Sequence, residues 1–161
     1  MVLSEGVGER TGLSIGVTTF LVSLVVLLMW LPLREKPGLG TIANIVVIAS
    51  AIDVMLLVLP RPEHVVTQFL FALAGVLIIG LGSALYLTAG LGPGPRDGWM
   101  TAIHHRSGLP VGRVRLFIEI AVLAVGFVLG GTVGVGTLLF ALLIGRSIAL
   151  WLAVVGRFAG A

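Results

Sequence analysis

Cysteine is absent from the chain. That excludes disulfide frameworks, thiol chemistry and cysteine-based metal sites. Charge is scarce too. Asp, Glu, Lys and Arg make up 11% of the 161 residues, where a soluble domain carries about 25%. So few charges cannot cover a water-facing surface. A soluble globular domain, a disordered chain and a fibrous repeat are all excluded. Glycine is plentiful at 23 residues, but it follows no triplet period, so a collagen-like helix is excluded as well. Hydrophobic residues make up 58% of the chain and the mean hydropathy is +1.17. These values describe a small, all-α, polytopic membrane protein.

The apolar runs set the spans. About 20 apolar residues cross a bilayer, and in hydrocarbon the backbone must satisfy its own polar groups, which forces helices. The runs do not alternate, so a membrane barrel is excluded. Five transmembrane helices are expected, over 16–33, 41–59, 65–89, 113–130 and 137–155. They form a single transmembrane domain over residues 1–161. The breaks fall at Arg34-Glu35-Lys36-Pro37-Gly38, at Pro60-Arg61-Pro62, and at Gly130-Gly131-Thr132-Val133-Gly134. The longest connection, 90–112, contains Gly92-Pro93-Gly94-Pro95-Arg96-Asp97-Gly98-Trp99, and its part from 98 to 105 is expected as a short interfacial or re-entrant helix. The first ten residues lack the order of a secretory signal.

Basic residues predict the orientation. The segments after the first and third spans, taken with the start of the fourth span and the C-terminus, hold Arg34, Lys36, Arg96, Arg106, Arg113, Arg115 and Arg157, against Arg10 and Arg61 on the other side. The positive-inside rule then places the N-terminus outside and the C-terminus in the cytoplasm of a bacterial plasma membrane.

An internal repeat appears at an offset of 96 residues. Arg10-Thr11-Gly12-Leu13 falls on Arg106-Ser107-Gly108-Leu109, and Gly38-Leu39-Gly40-Thr41 on Gly134-Val135-Gly136-Thr137, without a gap. The halves, about 10–60 and 65–156, are expected to be an incomplete inverted repeat of three-helix units. Such repeats are common in secondary carriers, which bind substrate between the units, an analogy of fold alone.

The segment Gly90-Leu91-Gly92-Pro93-Gly94-Pro95-Arg96-Asp97-Gly98, the Arg115-to-Glu119 spacing, and the segments Gly130–Thr137 and Arg34–Thr41 resemble the bacterial YczE/YitT-like integral membrane proteins, closest to the YczE branch. The resemblance implies five or six membrane helices and an activity such as transport or export. It also implies one further helix ahead of residue 10 in typical members, and Pro rather than Arg146 after Gly145.

Six charged residues are candidates for a substrate or ion pathway: Arg96, Asp97, Arg115, Glu119, Asp53 and Arg146. Arg115 and Glu119 share one helix face as an i,i+4 pair. That pair either masks both charges in lipid or leaves a carboxylate facing a cavity. Asp53 and Arg146 sit within apolar helices, where a central Arg costs roughly 2.5 to 3.5 kcal/mol. Each is either structural or part of a pathway, and Arg146 has snorkelling as a further option. Asp97 either caps the next short helix or lines an entrance together with Arg96. Thr41 and Thr137 end two matching turns as helix-cap or gating candidates. Gly75, Gly82 and the Gly126–Gly130 pair permit close helix approach.

His64, His104 and His105 form no spaced metal set. There is no phosphate-binding loop or dinucleotide fingerprint, and basic residues do not alternate with aromatics as on nucleic-acid surfaces. No cofactor, nucleic acid or enzymatic reaction is expected. The partners expected are the lipid bilayer, a small-molecule substrate and a second copy of the chain. The expected function is a small-molecule permease or exporter. A non-transporting accessory or scaffold protein is the alternative.

Overall fold

A computed structural model describes residues 2–30, 37–59 and 62–159. Seven helices follow one another among them: α1 (Val2–Thr11), α2 (Ile15–Leu28), α3 (Leu39–Val58), α4 (Val65–Thr88), α5 (Pro95–Ser107), α6 (Val111–Val128) and α7 (Val135–Ala159). The protein is an all-α polytopic membrane protein. Among the described residues three helices are long and apolar enough to cross a membrane: α3, α4 and α7, each with mean hydropathy 2.3. At 1.5 Å per residue, the 20 residues of α3 reach about 30 Å, one hydrocarbon core. Helices α1 and α2 meet at 112° and together would make a fourth span. Five spans were expected. Helix α6 falls short because Arg113, Arg115 and Glu119 lie within its 18 residues, and the described part of α2 has 14 residues.

The expected end of the first span at Leu33, the Arg34–Lys36 link, and Pro60 with Arg61 lie outside the described residues. Two helices differ from expectation in a way that matters for the site. Residues 2–11 form a helix that no apolar run announces, held by packing rather than propensity. The short helix in the long connection begins earlier, at Pro95, because proline suits the first helical position. It ends at Gly108, whose φ of 70° is a left-handed cap.

Packing follows the glycines. Helices α4 and α7 share the most extensive contact. There Gly80 admits Ser147, whose hydroxyl donates to the Val76 carbonyl at 3.0 Å. Helices α6 and α7 cross where Gly145 meets the Gly112 carbonyl. Helix α1 lies on the far end of α6, with Val2 and Leu3 against Gly126 and Gly131. Arg10 donates from Nε to the Leu129 carbonyl at 2.8 Å, so a cation caps the α6 C-terminus. Of the glycines expected at helix contacts, Gly75 and Gly82 meet nothing within 4 Å, because they lie off the face α4 turns to α7. The buried core, Met100, Val114, Ile144 and Ile148, joins α5, α6 and α7.

Candidate functional site

The glycine-proline loop 90–95 is seated on the start of α3. Its Leu91 carbonyl accepts from the Gly40 amide at 2.8 Å. Its Pro93 carbonyl accepts from the Thr41 hydroxyl at 2.8 Å, and that hydroxyl accepts from the Gly38 amide at 3.1 Å. Thr41 thus does more than cap its helix. It ties the helix to a loop 52 residues away. Gly92 takes a φ of 104°, and a side chain there would meet Gly38 and Thr41. Thr137, at the matching position of α7, is half-buried and makes no such tie among the described residues.

Trp30, just past the end of α2, anchors the next step. It is 1% exposed, and its indole N–H donates to the Pro95 carbonyl at 2.9 Å. The absent side chain of Gly98 leaves room for the Trp30 ring. Helix α5 therefore starts in a socket built by α2 and α3, and this aims Asp97 at α6.

There Arg115 bridges two carboxylates. Its Nη1 pairs with Asp97 Oδ1, and its Nη2 lies 2.9 Å from Glu119 Oε1. All three are buried, at 5%, 7% and 6% exposure for Arg115, Asp97 and Glu119. Ser83 of α4, itself buried, stands close to Asp97. Arg96, half-buried, stands within electrostatic reach of Glu119 and Arg115. Arg115 Nε has no hydrogen-bond partner among the described residues, and Glu119 Oε1 meets its arginine as an ion pair without hydrogen-bond geometry. The cluster is compact and charged, and part of its polar capacity is unspent. Gly145 permits it, since its missing Cβ lets the base of the Arg115 side chain approach α7.

Four sequence candidates, Arg96, Asp97, Arg115 and Glu119, thus converge. The capping role considered for Asp97 is not what the structure contains. Gly94 is the cap residue of α5, and the Asp97 side chain turns to Arg115. Asp53 lies elsewhere. It accepts from the Ser14 hydroxyl at 2.7 Å and from the Gly16 amide at 2.8 Å, holding the start of α2. It lines an open cleft of about 280 Å³ with Phe20, Val46 and Ser50. Arg146 is exposed on α7 and makes no ion pair among the described residues. Sequence reasoning missed Trp30 and Ser83. A lone tryptophan at a helix end and a serine in a glycine-containing helix carry no pattern of their own. Among the described residues no group of three or more His, Asp or Glu could hold a metal ion.

Fold and site together define a polytopic α-helical membrane protein with a buried charge cluster. The chain belongs to DUF6198, a family of unknown function, whose profile matches residues 1–153. It is 44% identical over 156 residues to an uncharacterized protein of Haemophilus influenzae, covering 97% of this chain and 72% of that one. It is 35% identical over 138 residues to the uncharacterized membrane protein YczE of Bacillus subtilis, covering 85% of this chain and 64% of that one. The uncharacterized protein YyaS of the same organism is 26% identical over 159 residues, 96% of this chain and 79% of its own length. The wider relationship to YczE/YitT-like proteins is thereby established. No solved structure matches the chain.

Proposed function

We propose that the chain is a small-molecule permease or exporter of the bacterial plasma membrane, of the YczE branch, with Arg96, Asp97, Arg115 and Glu119 in its pathway. One observation carries the reading: two carboxylates and an arginine, all buried, gathered where the loop after α4 seats on the start of α3. Burying ions costs several kcal/mol each before pairing. In membrane helices such groups mark substrate and ion paths.

The inverted repeat is part of the proposal. It is supported by the correspondence of α1, α2 and α3 with α5, α6 and α7 at the offset of 96. Equivalent contacts recur: Gly16 against Ala49 matches Gly112 against Gly145. Others are exchanged between the halves. Gly98 of α5 packs on Trp30, and Val2 of α1 packs on Gly126, the position equivalent to Trp30. In this reading α2, α3, α4, α6 and α7 span, while α1 and α5 are short inserted helices. The repeat halves are about 10–60 and 65–156, the N-terminus is outside, and a homodimer completes the assembly.

Reconstitution in vesicles tests the function. Flux of at least one small solute is expected, falling about tenfold in Asp97→Asn and Glu119→Gln, a difference of about 1.4 kcal/mol. Absence of flux across a broad panel overturns the proposal. The scaffold reading draws on Gly75 and Gly82, which face open space along α4 and suit a partner helix. Co-purification of one stoichiometric membrane partner that holds the activity would favour it.

A further inference from the structure

Arg146 stands at the centre of a membrane span. Val135–Arg157 runs eleven residues to either side of it, about 16 Å of helix. Snorkelling serves arginines near helix ends, so this one stays at depth. Its side chain is exposed on α7, with the exposed Leu142 and Leu150 one turn away on either side. Inside a membrane, arginines face a bundle interior or a watery cavity and pair with acids. Arg146 lies outside its own bundle on an apolar stripe, and no carboxylate pairs with it among the described residues.

Asp53 is the complementary case. It is a half-buried carboxylate within the α3 span, with no cation paired to it among the described residues. Each of its oxygens accepts one hydrogen bond from the start of α2 and keeps a second lone pair. The cleft it lines opens past Val46 and Ser50, both exposed, and has room for a long side chain. The other described acids sit elsewhere: Asp97 and Glu119 on Arg115, Glu5 and Glu9 by Thr132 and Gly130 at the far end of α6, and Glu63 before α4.

Ser50 and Arg146 are equivalent at the offset of 96, and Ala49 meets Gly16 as Gly145 meets Gly112. The two exposed faces are therefore counterparts at the middle of their spans, one carrying the anion and the other the cation. Asp53 lies one turn past Ala49, about 6 Å along the helix, a distance an extended arginine covers. We propose that a second copy of the chain docks its α6–α7 face on the α2–α3 cleft, where its Arg146 pairs with Asp53. A guanidinium fork matches a carboxylate, and the pair masks both charges from lipid. The inference rests on the inverted repeat and homodimer of the preceding reading and names their contact.

Cross-linking tests it, since the chain contains no cysteine of its own. Two differently tagged full-length copies, one Ser50→Cys and one Leu150→Cys, are co-expressed and oxidised in native membranes. The inverted repeat runs α3 and α7 in opposite directions, so the turn before Asp53 meets the turn after Arg146. A disulfide between the two tags is expected, and is expected to be lost when both copies also carry Arg146→Gln. Ultracentrifugation in mild detergent is expected to show a dimer weakened about tenfold by Arg146→Gln and less by Arg146→Lys. Thermal unfolding checks that the variants stay folded. A monomeric wild type, no disulfide between the tags, or unchanged affinity in the folded glutamine variant overturns the proposal. Cross-linking of residue 150 to a different membrane protein also overturns it. Each copy keeps its own Arg115 cluster, so solute flux is scored separately and a failed contact leaves the transport reading standing.

Discussion

Trp30 donates its indole N–H to the backbone carbonyl of Pro95 at 2.9 Å, across 65 residues of sequence. Proline at the first position of α5 leaves that carbonyl close to the ring, and Gly98 one turn later leaves room for it. Trp30→Phe is expected to cost about 1 kcal/mol through the lost hydrogen bond. Gly98→Val collides with the ring and is expected to cost more, by at least about 1–3 kcal/mol of overpacking. Thermal unfolding in mild detergent ranks the two, and equal midpoints for wild type and both variants would refute this.

Arg115 answers two carboxylates with one charge. Arg115→Gln leaves two buried acids without their cation and is expected to destabilise the protein by about 3–5 kcal/mol. Adding Asp97→Asn and Glu119→Gln to that variant restores much of the loss, because the uncompensated charges are gone. Measured stabilities of the single and triple variants check this. A triple variant no more stable than the single one would show that the cluster is not held by charge balance.

Asp53 works as a remote cap on α2, in company with Ser14. Ser14 also accepts from the Val17 amide at 3.2 Å. Asp53→Ala is expected to cost about 1–2 kcal/mol, the scale of a lost helix cap, and to leave solute flux unchanged. A flux defect at normal stability would move Asp53 into the pathway.

Membrane sidedness is open to direct labelling, since the chain contains no cysteine. Leu109→Cys and Val135→Cys sit at opposite ends of α6 and its connection to α7. An impermeant thiol reagent on intact cells is expected to reach residue 135 and not residue 109. Labelling of both from outside would refute the orientation and the spanning role of α6.

The long apolar runs made α3, α4 and α7 legible, because lipid selects for them strongly. The Arg115–Glu119 pair was legible for a local reason, the i,i+4 spacing. Its link to Asp97 was not, because that contact exists only once α5 folds back on α6. Helix α1 was hidden for a related reason. Val2–Thr11 contains two glycines and three charges, so propensity argues weakly for it. Its contacts with Gly126 and Gly131 supply what its own sequence does not. Asp53 read as a charge inside a span, because its partners Ser14 and Gly16 lie on another helix.

The seat of α1 has a bearing on how the protein is made. Its resting place, the end of α6 around Gly126 and Gly131, leaves the ribosome more than one hundred residues later. Until then α1 has only the neighbouring α2 to pack on, and the socket at Trp30 likewise waits for Gly98. The last of these contacts can close only once α6 is made, after the helices nearer the start are already in place. A nascent chain stopped before α6 would be inserted yet unfinished, and exposed to the proteases that survey the membrane.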